Sequence, residues 1–294
     1  MDGSAGTLGR ALPGELQGAL ARVTEIGSLP EITARIVRVV EDPRSTAHDM
    51  HEIIKSDPAL AAKVLKVVNS AFYGLPAQIS SLERAILMLG LSAVKNIALA
   101  ASLARLFNAD GLSERFTARD LWRHCIAVAV CGRLLAGVAE GTPVEDAFAA
   151  GLVHDLGLLV VQQVFPAKLR LVIEQCQNTP LDFSETERGL IGADHAMFGA
   201  ALATKWKFPP ELRCAIGLHH DLEAAPAQYR RMTATVQIAD TVCSHGRYGF
   251  WLTAYTQQAS SAALEAAGLT PQQLDDVLEA LPTKVEEAEA ILTE

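Results

Sequence analysis

Apolar residues recur along this chain three or four positions apart, the spacing that places side chains on one face of an α-helix. Such stripes run through Leu60, Val64, Val67 and Val68, through Leu82, Ile86 and Leu89, and through Val94, Ile97, Ala98 and Ala101. The sequence has no convincing alternation of apolar and polar residues and no Asn-Gly hairpin signal, which are the patterns of strands. We therefore predict an all-α protein.

Helix-start signals separate these stripes. In a capping box, a Ser or Thr side chain caps the helix and an acidic residue three positions later completes the cap. Five segments have this spacing, namely Thr46–Asp49, Ser80–Glu83, Thr117–Asp120, Thr142–Glu145 and Ser184–Glu187. A capping residue followed by proline at the first helical position is predicted at Asp57-Pro58 and at Thr142-Pro143.

The chain is predicted to divide into three parts. Residues 1–12 are mostly small and polar and are expected to form a disordered tail. A weak boundary near Asn108–Gly111 then separates an N-terminal helical lobe, residues 13–111, from a second helical lobe, residues 112–294, whose last residues predict one or two amphipathic helices. His48 and His51 are the only histidines before this boundary, so we expect no metal cluster in the first lobe.

Composition limits the classes of function. Half of the 294 residues are apolar and the net charge is −9, so the overall electrostatic field does not favour binding to nucleic acid or to anionic lipid. The five cysteines form no C-x-x-C motif, which indicates reduced thiols inside a cell. The start lacks the apolar stretch of a signal peptide, and no uncharged apolar run reaches about 18 residues. We expect a cytoplasmic protein without a membrane span.

Histidine and aspartate form an ordered series in the second lobe. The series consists of His124, His154, Asp155, His195, His219, His220 and Asp240. Imidazole and carboxylate are ligands that first-row divalent metals prefer, and seven ligands exceed what one tetrahedral ion needs. This arithmetic favours two metals that share a carboxylate. Iron or manganese is favoured for both ions, and nickel or zinc would also suit the mixed nitrogen and oxygen ligands.

Each of these residues also has a simpler interpretation. A lone buried histidine is more often a hydrogen-bonded core residue than a ligand, and Asp240 could be a surface charge. Several unpaired histidines and aspartates on apolar helix faces would each cost roughly 1–3 kcal/mol of desolvation. Convergence on metal ions removes that cost, so the joint occurrence favours a metal site.

Three motifs of the second lobe resemble the HD superfamily of metal-dependent phosphohydrolases. They are GLVHDLG at 151–157, HAMFGAALATKW at 195–206 and IGLHHD at 216–221. Three motifs of the first lobe narrow the resemblance to the HDOD family, the HD-related output domain of bacterial signalling proteins. They are LPEITARIVRVVEDP at 29–43, SDPALAAKVLKVVNSAFYG at 56–74 and SLERAILMLGL at 81–91. The resemblance covers roughly residues 20–245 and implies a helical HD-type bundle preceded by an N-terminal helical lobe.

The resemblance also implies roles for the series. Asp155 would be the bridging carboxylate. One metal would be completed by His124, His154 and Asp240, and the other by His195, His219 and His220. Related cyclic-dinucleotide phosphodiesterases place a glutamate where this chain has Asp120, which would then reach a third metal. The alternative for Asp120 is the acidic partner of the Thr117 capping box.

Two departures from the superfamily count against hydrolysis. Active members often have a lysine that meets substrate phosphate, and Leu158 stands at that position here. The Gly-Tyr-Pro motif that follows the histidine pair in the cyclic-dinucleotide enzymes is replaced by DLEAAPAQYR at 221–230. Arg123, Arg188 and Lys205 could supply positive charge instead, or could be solvated helix residues.

Two functions remain from different classes. The first is a non-catalytic signal-transduction output module with a dinuclear metal site, whose partners are signalling proteins or a small nucleotide rather than nucleic acid or membrane. The alternative is a metal-dependent phosphohydrolase or phosphodiesterase that acts on a nucleotide or phosphate ester. A fainter option is di-iron oxygen chemistry. No catalytic residue is assigned, and the sequence does not determine the oligomeric state.

Overall fold

The structure is a computed structural model that describes residues 10–18, 31–41, 44–108 and 112–292. Helices dominate these ranges, and no strand occurs within them. The prediction of an all-α fold is therefore confirmed. Residues 1–9 of the predicted tail lie outside the described residues, while Arg10 forms an ion pair of 2.8 Å with Asp221 and Leu12 is buried in the core.

In the described part of the chain before residue 104, five α-helices follow a short 3₁₀ turn at Gly14–Leu16. They are α1 (Glu31–Glu41), α2 (Ala47–Lys55), α3 (Pro58–Val68), α4 (Leu82–Leu89) and α5 (Leu91–Leu103), and a 3₁₀ turn, Ala104–Asn108, follows. Helix α5 lies at the centre of this group because α1, α3 and α4 all pack on it. The remaining side of α5 packs against the second half of the chain, so almost every residue of α5 from Ala93 onward is buried.

Ten helices form the second half. They are α6 (Ala118–Val138), α7 (Val144–Val153), α8 (Leu156–Val164), α9 (Pro166–Asn178), α10 (Phe183–Ile191), α11 (His195–Lys205), α12 (Pro210–Leu218), α13 (Ala227–His245), α14 (Ser261–Ala267) and α15 (Pro271–Leu292). The predicted amphipathic segment near the end is one helix, α15, which contains Pro282 and buries Val277, Leu281 and Val285.

Helix α6 is the axis of the second half. It packs against α7, α13 and α15, and the Trp122 Nε1 donates a hydrogen bond of 2.9 Å to the Leu292 carbonyl oxygen. By length and composition α6 is apolar enough to cross a membrane, with a mean hydropathy of 1.4 in an 18-residue window. Its apolar character is explained by packing, since 72% of that window is buried inside the protein.

One hydrophobic core runs through both halves, from Leu12 to Leu292. Helices α5 and α7 join the two halves by direct packing. This core includes residues on both sides of the predicted boundary at residues 111 and 112, and the division into lobes stays a prediction.

Two of the predicted capping boxes occur as expected. The hydroxyl of Thr46 caps α2 with Asp49, the hydroxyl of Thr117 caps α6 with Asp120, and both reciprocal bonds are present in each box. Asp57 caps α3 from the position before Pro58.

The other three predicted helix starts are wrong in detail. Helix α4 begins one residue later than predicted, because Ser81 rather than Ser80 accepts from the Arg84 backbone N–H. Helix α10 begins earlier, because the Asp182 carboxylate accepts from the Glu185 N–H and leaves Ser184 buried inside the helix. Helix α7 begins at Val144 after Pro143, and Thr142 does not cap it.

Candidate metal centre

A break between two helices positions His154 and Asp155. Helix α7 ends at Val153 and α8 begins at Leu156, and Asp155 has a non-helical backbone with φ −97° and ψ 13°. The break turns two adjacent side chains toward the same point. Gly157 lies two residues after Asp155, and a Cβ added to it would be 1.8 Å from the His195 carbonyl oxygen. Because only glycine allows this crossing of α8 and α11, it brings Asp155 close to His195.

The other ligand candidates come from four further elements. His124 projects from the middle of α6, and Asp240 projects from α13. His195 is the first residue of α11, whose start is capped by the Asp194 carboxylate through the Met197 N–H at 2.9 Å. His219 and His220 directly follow the last residue of α12. The structure therefore gathers all seven residues of the predicted series at one place.

The two oxygens of Asp155 face different pairs of histidines. Its Oδ2 lies 3.4 Å from the Nε2 of His154 and 3.9 Å from the Nε2 of His124. Its Oδ1 lies 3.3 Å from the Nε2 of His195 and 3.6 Å from the Nε2 of His219. A carboxylate with this arrangement is placed to bridge two ions.

Asp240 and His220 complete the cluster. The Asp240 Oδ1 is 3.0 Å from the Nε2 of His124 and 3.8 Å from the Nε2 of His154, while its Oδ2 is 3.9 Å from the Nε2 of His220. The Nε2 of His220 is also 3.0 Å from the Nε2 of His195. Donor atoms that bind one cation at about 2.1 Å lie about 3.0–3.4 Å from each other, so these separations are close to those of a common coordination shell.

All five imidazoles turn Nε2 toward the cluster and Nδ1 away from it. Four Nδ1 atoms contact oxygens: the Tyr248 carbonyl at 3.1 Å (His124), the Gly151 carbonyl at 2.7 Å (His154), a Glu187 carboxylate at 2.5 Å (His195) and the Ile216 carbonyl at 2.9 Å (His219). The Nδ1 of His220 instead contacts the amide nitrogen of Gln257 at 2.8 Å. At the four rings that face oxygens, the acceptor keeps the proton on Nδ1 and leaves the Nε2 lone pair for a metal.

The chemistry of the donor set fits divalent cations. Several buried donor atoms make no hydrogen bond with the described residues, namely the Nε2 atoms of His154 and His219, both carboxylate oxygens of Asp155, and Oδ2 of Asp240. Orphaned buried polar atoms of this kind cost about 1–3 kcal/mol each. A cation in their midst would satisfy all of them at once, so the residues present suit a metal centre.

The protonation states also suit a cation. Burial opposes ionisation of Asp155 and Asp240, but the facing imidazoles more than offset it and hold the pKa of both carboxyls below the usual value. Burial lowers the pKa of His219, and burial together with the neighbouring His219 and His195 rings lowers that of His220. Two ionised carboxylates and two neutral imidazoles are ligands in the form that a metal needs.

Two of the histidines tend to retain a proton in the metal-free protein. Burial disfavours the charged form of His154, but the Asp155 carboxylate outweighs burial and raises its pKa. Burial is likewise outweighed at His195, where Glu187 and Asp155 raise the pKa well above the usual value. Metal binding therefore has to displace the protons of these two rings.

Glu187 and Gln257 belong to the site and were not predicted as site residues. Glu187 is fully buried, and one carboxylate oxygen accepts from both the backbone N–H and the Nδ1 of His195. The sequence signal available for Glu187 was an acidic residue on the apolar face of α10, in line with Phe183 and Ile191. Gln257 lies in a polar loop, and its sequence gives no such signal.

The remaining candidates have other contacts. The Asp120 carboxylate accepts from the backbone N–H and hydroxyl of Thr117 at 2.8 and 2.7 Å, as the capping alternative predicts, and its place as a third-metal ligand stays a prediction. Arg123 pairs with Glu289 and Arg188 pairs with Asp194. Lys205 is exposed at the end of α11, and Leu158 is fully buried in the core.

The expectation of no metal-competent cluster in the N-terminal half is wrong. His48, His51 and Glu52 project from one side of α2 and bring their donor atoms within 4.8 Å of one another. The positions are three and four residues apart, which is one helical turn. His51 is engaged by Glu83 at 2.8 Å, and the group lies at the surface, where such clusters commonly occur without metal.

The fold and the donor set define an all-α protein with a buried cluster able to bind metal. The HDOD domain matches residues 26–222, and the chain belongs to the HDOD family. It is similar in structure to an HDOD domain protein of unknown function from Geobacter sulfurreducens, with 25% identity, a TM-score of 0.78, and coverage of 95% of this chain and 98% of that one. A second similar structure is a protein from Shewanella amazonensis SB2B that is provisionally named a phosphohydrolase, with 25% identity, a TM-score of 0.73, and coverage of 94% and 98%.

An uncharacterised protein of Treponema pallidum (strain Nichols) is 29% identical over 225 residues. The aligned region is 74% of this chain and 42% of that protein, so the chain spans less than half of this relative's length.

Proposed function

We propose that this protein is a non-catalytic output module of bacterial signal transduction that contains a dinuclear metal centre. The observation that carries the proposal is that the protein encloses the metal-binding side chains. Every side chain of the donor set is at most 1% exposed except His220, which is 7% exposed. A catalytic centre must admit its substrate to the metal, whereas a structural or sensing centre does not.

The surroundings of the cluster support the same reading. Phosphoryl transfer depends on cations placed against the developing negative charge. The position that carries a substrate-binding lysine in active relatives is Leu158, which is buried among apolar side chains. Arg123 and Arg188 are paired with carboxylates, which reduces the charge they can offer to a phosphate.

The residues that would hold the metals are those already brought together. Asp155 would bridge, His124, His154 and Asp240 would bind one ion, and His195, His219 and His220 would bind the other. When bound, such ions cross-link their ligands and polarise coordinated groups. The protein's own contribution is to hold each imidazole through its Nδ1 contact and to keep bulk water away.

The metal centre is tested by elemental analysis of protein purified without chelator. We expect about two equivalents of divalent transition metal in the wild type and loss of most of it in His154→Ala. The matched control is His245→Ala, which removes an exposed histidine at the end of α13 and should leave the metal content unchanged. Wild-type protein that contains no metal and takes up none would contradict the dinuclear centre.

The signalling role is tested by a binding screen with metal-loaded protein. The probes are histidine kinases, diguanylate cyclases and small nucleotides, since we propose a signalling protein or a small nucleotide as the partner. We expect one class of probe to bind without being turned over. Turnover of a nucleotide, combined with no binding to any macromolecule, would remove this proposal.

One observation favours the enzyme as a second candidate. The Asp155 carboxylate directs one oxygen to each of two histidine pairs, an arrangement that suits two-metal hydrolases. This candidate requires phosphatase or phosphodiesterase activity of Mn²⁺- or Fe²⁺-loaded protein that is abolished in Asp155→Ala and retained in Asp146→Ala. No turnover across a broad panel of phosphate esters, with the metal site full, would defeat it.

A further inference from the structure

One histidine of the cluster differs from the other four in its outer contact. The Nδ1 atoms of His124, His154, His195 and His219 face carbonyl or carboxylate oxygens, which can only accept. The Nδ1 of His220 faces the side-chain amide nitrogen of Gln257, 2.8 Å away. An amide carries a donor at one end and an acceptor at the other, and a half-turn about its last bond exchanges the two.

The orientation of this amide decides what His220 can bind. When the amide oxygen faces Nδ1, the ring proton stays on Nδ1 and the Nε2 lone pair points into the cluster. In this structure the amide nitrogen faces Nδ1, so it donates and the ring proton must lie on Nε2. That proton is then directed toward the Nε2 of His195, 3.0 Å away, and His220 cannot bind a metal. The half-turn of the amide is what makes His220 a metal ligand.

The loop that contains Gln257 packs against the metal centre. Its Gly249 has φ +58°, and an added Cβ would lie 2.2 Å from the Asp120 carbonyl oxygen, so the loop is pressed against α6. The Phe250 N–H donates to the same oxygen at 2.9 Å. The loop supplies outer contacts to three ligands, through the Tyr248 carbonyl to His124, the Thr253 hydroxyl to Asp240 at 3.5 Å, and Gln257 to His220.

His220 also differs from the other four histidines in its exposure to solvent. The side chain of His220 is 7% exposed, whereas His124, His154, His195 and His219 are fully buried. Gln257, which contacts the outward-facing Nδ1 of His220, is itself half-buried. Of the two ligand groups, the one formed by His195, His219 and His220 is therefore the one with a solvent-exposed member, and Gln257 contacts that member.

We propose that Gln257 is a positioning residue of the metal centre that selects the metal-binding tautomer of His220, and that the ion on the His220 side is the exchangeable one. This inference rests on the dinuclear centre proposed above and adds which of its two ions the protein can gain or lose. The ion on the side of His124, His154 and Asp240 is held by fixed outer contacts.

The test compares Gln257→Glu, Gln257→Met and the neighbouring control Gln258→Met with the wild type. Zn²⁺ is the probe, because it is diamagnetic and takes the same nitrogen and oxygen ligands. Its affinity is measured by chelator competition, and the imidazole tautomers are read from ¹H–¹⁵N NMR of the Zn²⁺-loaded protein. Thermal unfolding checks that each variant is folded.

In Gln257→Met we expect one of the two equivalents to bind about 10-fold or more weakly, which is the usual effect of losing an outer-shell contact. Gln257→Glu keeps an acceptor at Nδ1 and should bind both equivalents at least as tightly as wild type. NMR should report the Nδ1–H tautomer of His220 in wild type and Gln257→Glu and a mixture in Gln257→Met. Gln258→Met should match the wild type.

The failures of the two proposals are distinguishable. Wild type that binds no Zn²⁺ overturns the dinuclear centre and this inference together. Wild type that binds two equivalents, with Gln257→Met unchanged, overturns only the role of Gln257. Equal weakening in Gln257→Met and Gln257→Glu overturns it as well, because loss of packing rather than loss of the acceptor would then be the cause.

Discussion

At the scale of single residues, the partners of the ligands matter as much as the ligands. Glu187 is fully buried, and its Oε2 accepts from the His195 backbone N–H at 2.9 Å and from its Nδ1 at 2.5 Å. Burial raises the pKa of Glu187 despite the nearby His195, so this carboxyl is costly to ionise. Its position is explained by what it does to the imidazole, since it holds the ring's orientation and keeps the proton on Nδ1.

Glu187→Gln is therefore expected to weaken metal binding about 10-fold, because an outer-shell change of this kind commonly costs 10- to 100-fold in affinity. The glutamine oxygen can still accept both hydrogen bonds from His195, but it lacks the negative charge that increases the basicity of the ring. The measurement is chelator competition with Zn²⁺. Glu185→Gln, an exposed residue on the same helix, is the matched control. Equal affinity in both variants would show that Glu187 does not support the ligand.

At the scale of helices, two glycines set how closely α8 and α11 approach. A Cβ at Gly157 would lie 1.8 Å from the His195 carbonyl oxygen and 2.6 Å from the Gly199 backbone nitrogen. A Cβ at Gly199 would lie 2.7 Å from a methyl group of Ile216 on α12. Close packing of these backbones brings the start of α11 beside the break after α7, and the metal-binding geometry follows from that crossing.

Gly157→Ala should therefore be strongly destabilising, by about 3 kcal/mol or more, because backbone atoms cannot move aside as a flexible side chain can. Gly189→Ala is the control, since its added Cβ meets nothing within 4 Å on α10. That change should stabilise the helix by roughly 0.5–1 kcal/mol. Urea denaturation measures both. A Gly157→Ala variant as stable as the wild type would refute the close crossing.

At the scale of the whole molecule, the metal centre would join distant parts of the chain. His124 on α6 and Asp240 on α13 are 116 residues apart in sequence and 3.0 Å apart in space. The other ligands lie between these two residues in the sequence, at the break after α7, the start of α11 and the end of α12. A cation bound there would connect five segments that in the unfolded chain are far apart, and its binding energy would add to the stability of the fold.

Metal is accordingly expected to raise the free energy of unfolding. A ligand that binds only the folded state stabilises by about 2.7 kcal/mol per site at a concentration 100 times its Kd. The measurement is denaturant unfolding with and without Zn²⁺, and after removal by chelator. His154→Ala should lose most of the gain, and the exposed His245→Ala should keep it. Identical unfolding curves for metal-loaded and metal-free wild type would contradict a bound cation.

Local patterns were enough to predict the helices and the set of possible ligands. The spacing of apolar residues in α3 and α5 and the caps at Thr46, Asp57 and Thr117 depend on neighbours within one turn, so the sequence contains that information directly. The failures also have local causes. Adjacent serines at 80 and 81 offer equivalent caps, and at α10 a carboxylate two residues upstream competes with Ser184.

The convergence of the ligands was decided by tertiary structure alone. The sequence by itself determined that seven residues able to bind metal lie in the second half of the chain. Whether they meet depends on how α8 crosses α11 and on where the loop after α13 folds back. Glu187 and Gln257 were missed for that reason, since their partners lie 8 and 37 residues away on other segments. Local spacing encodes a helix face, but contacts between segments arise only when the helices pack.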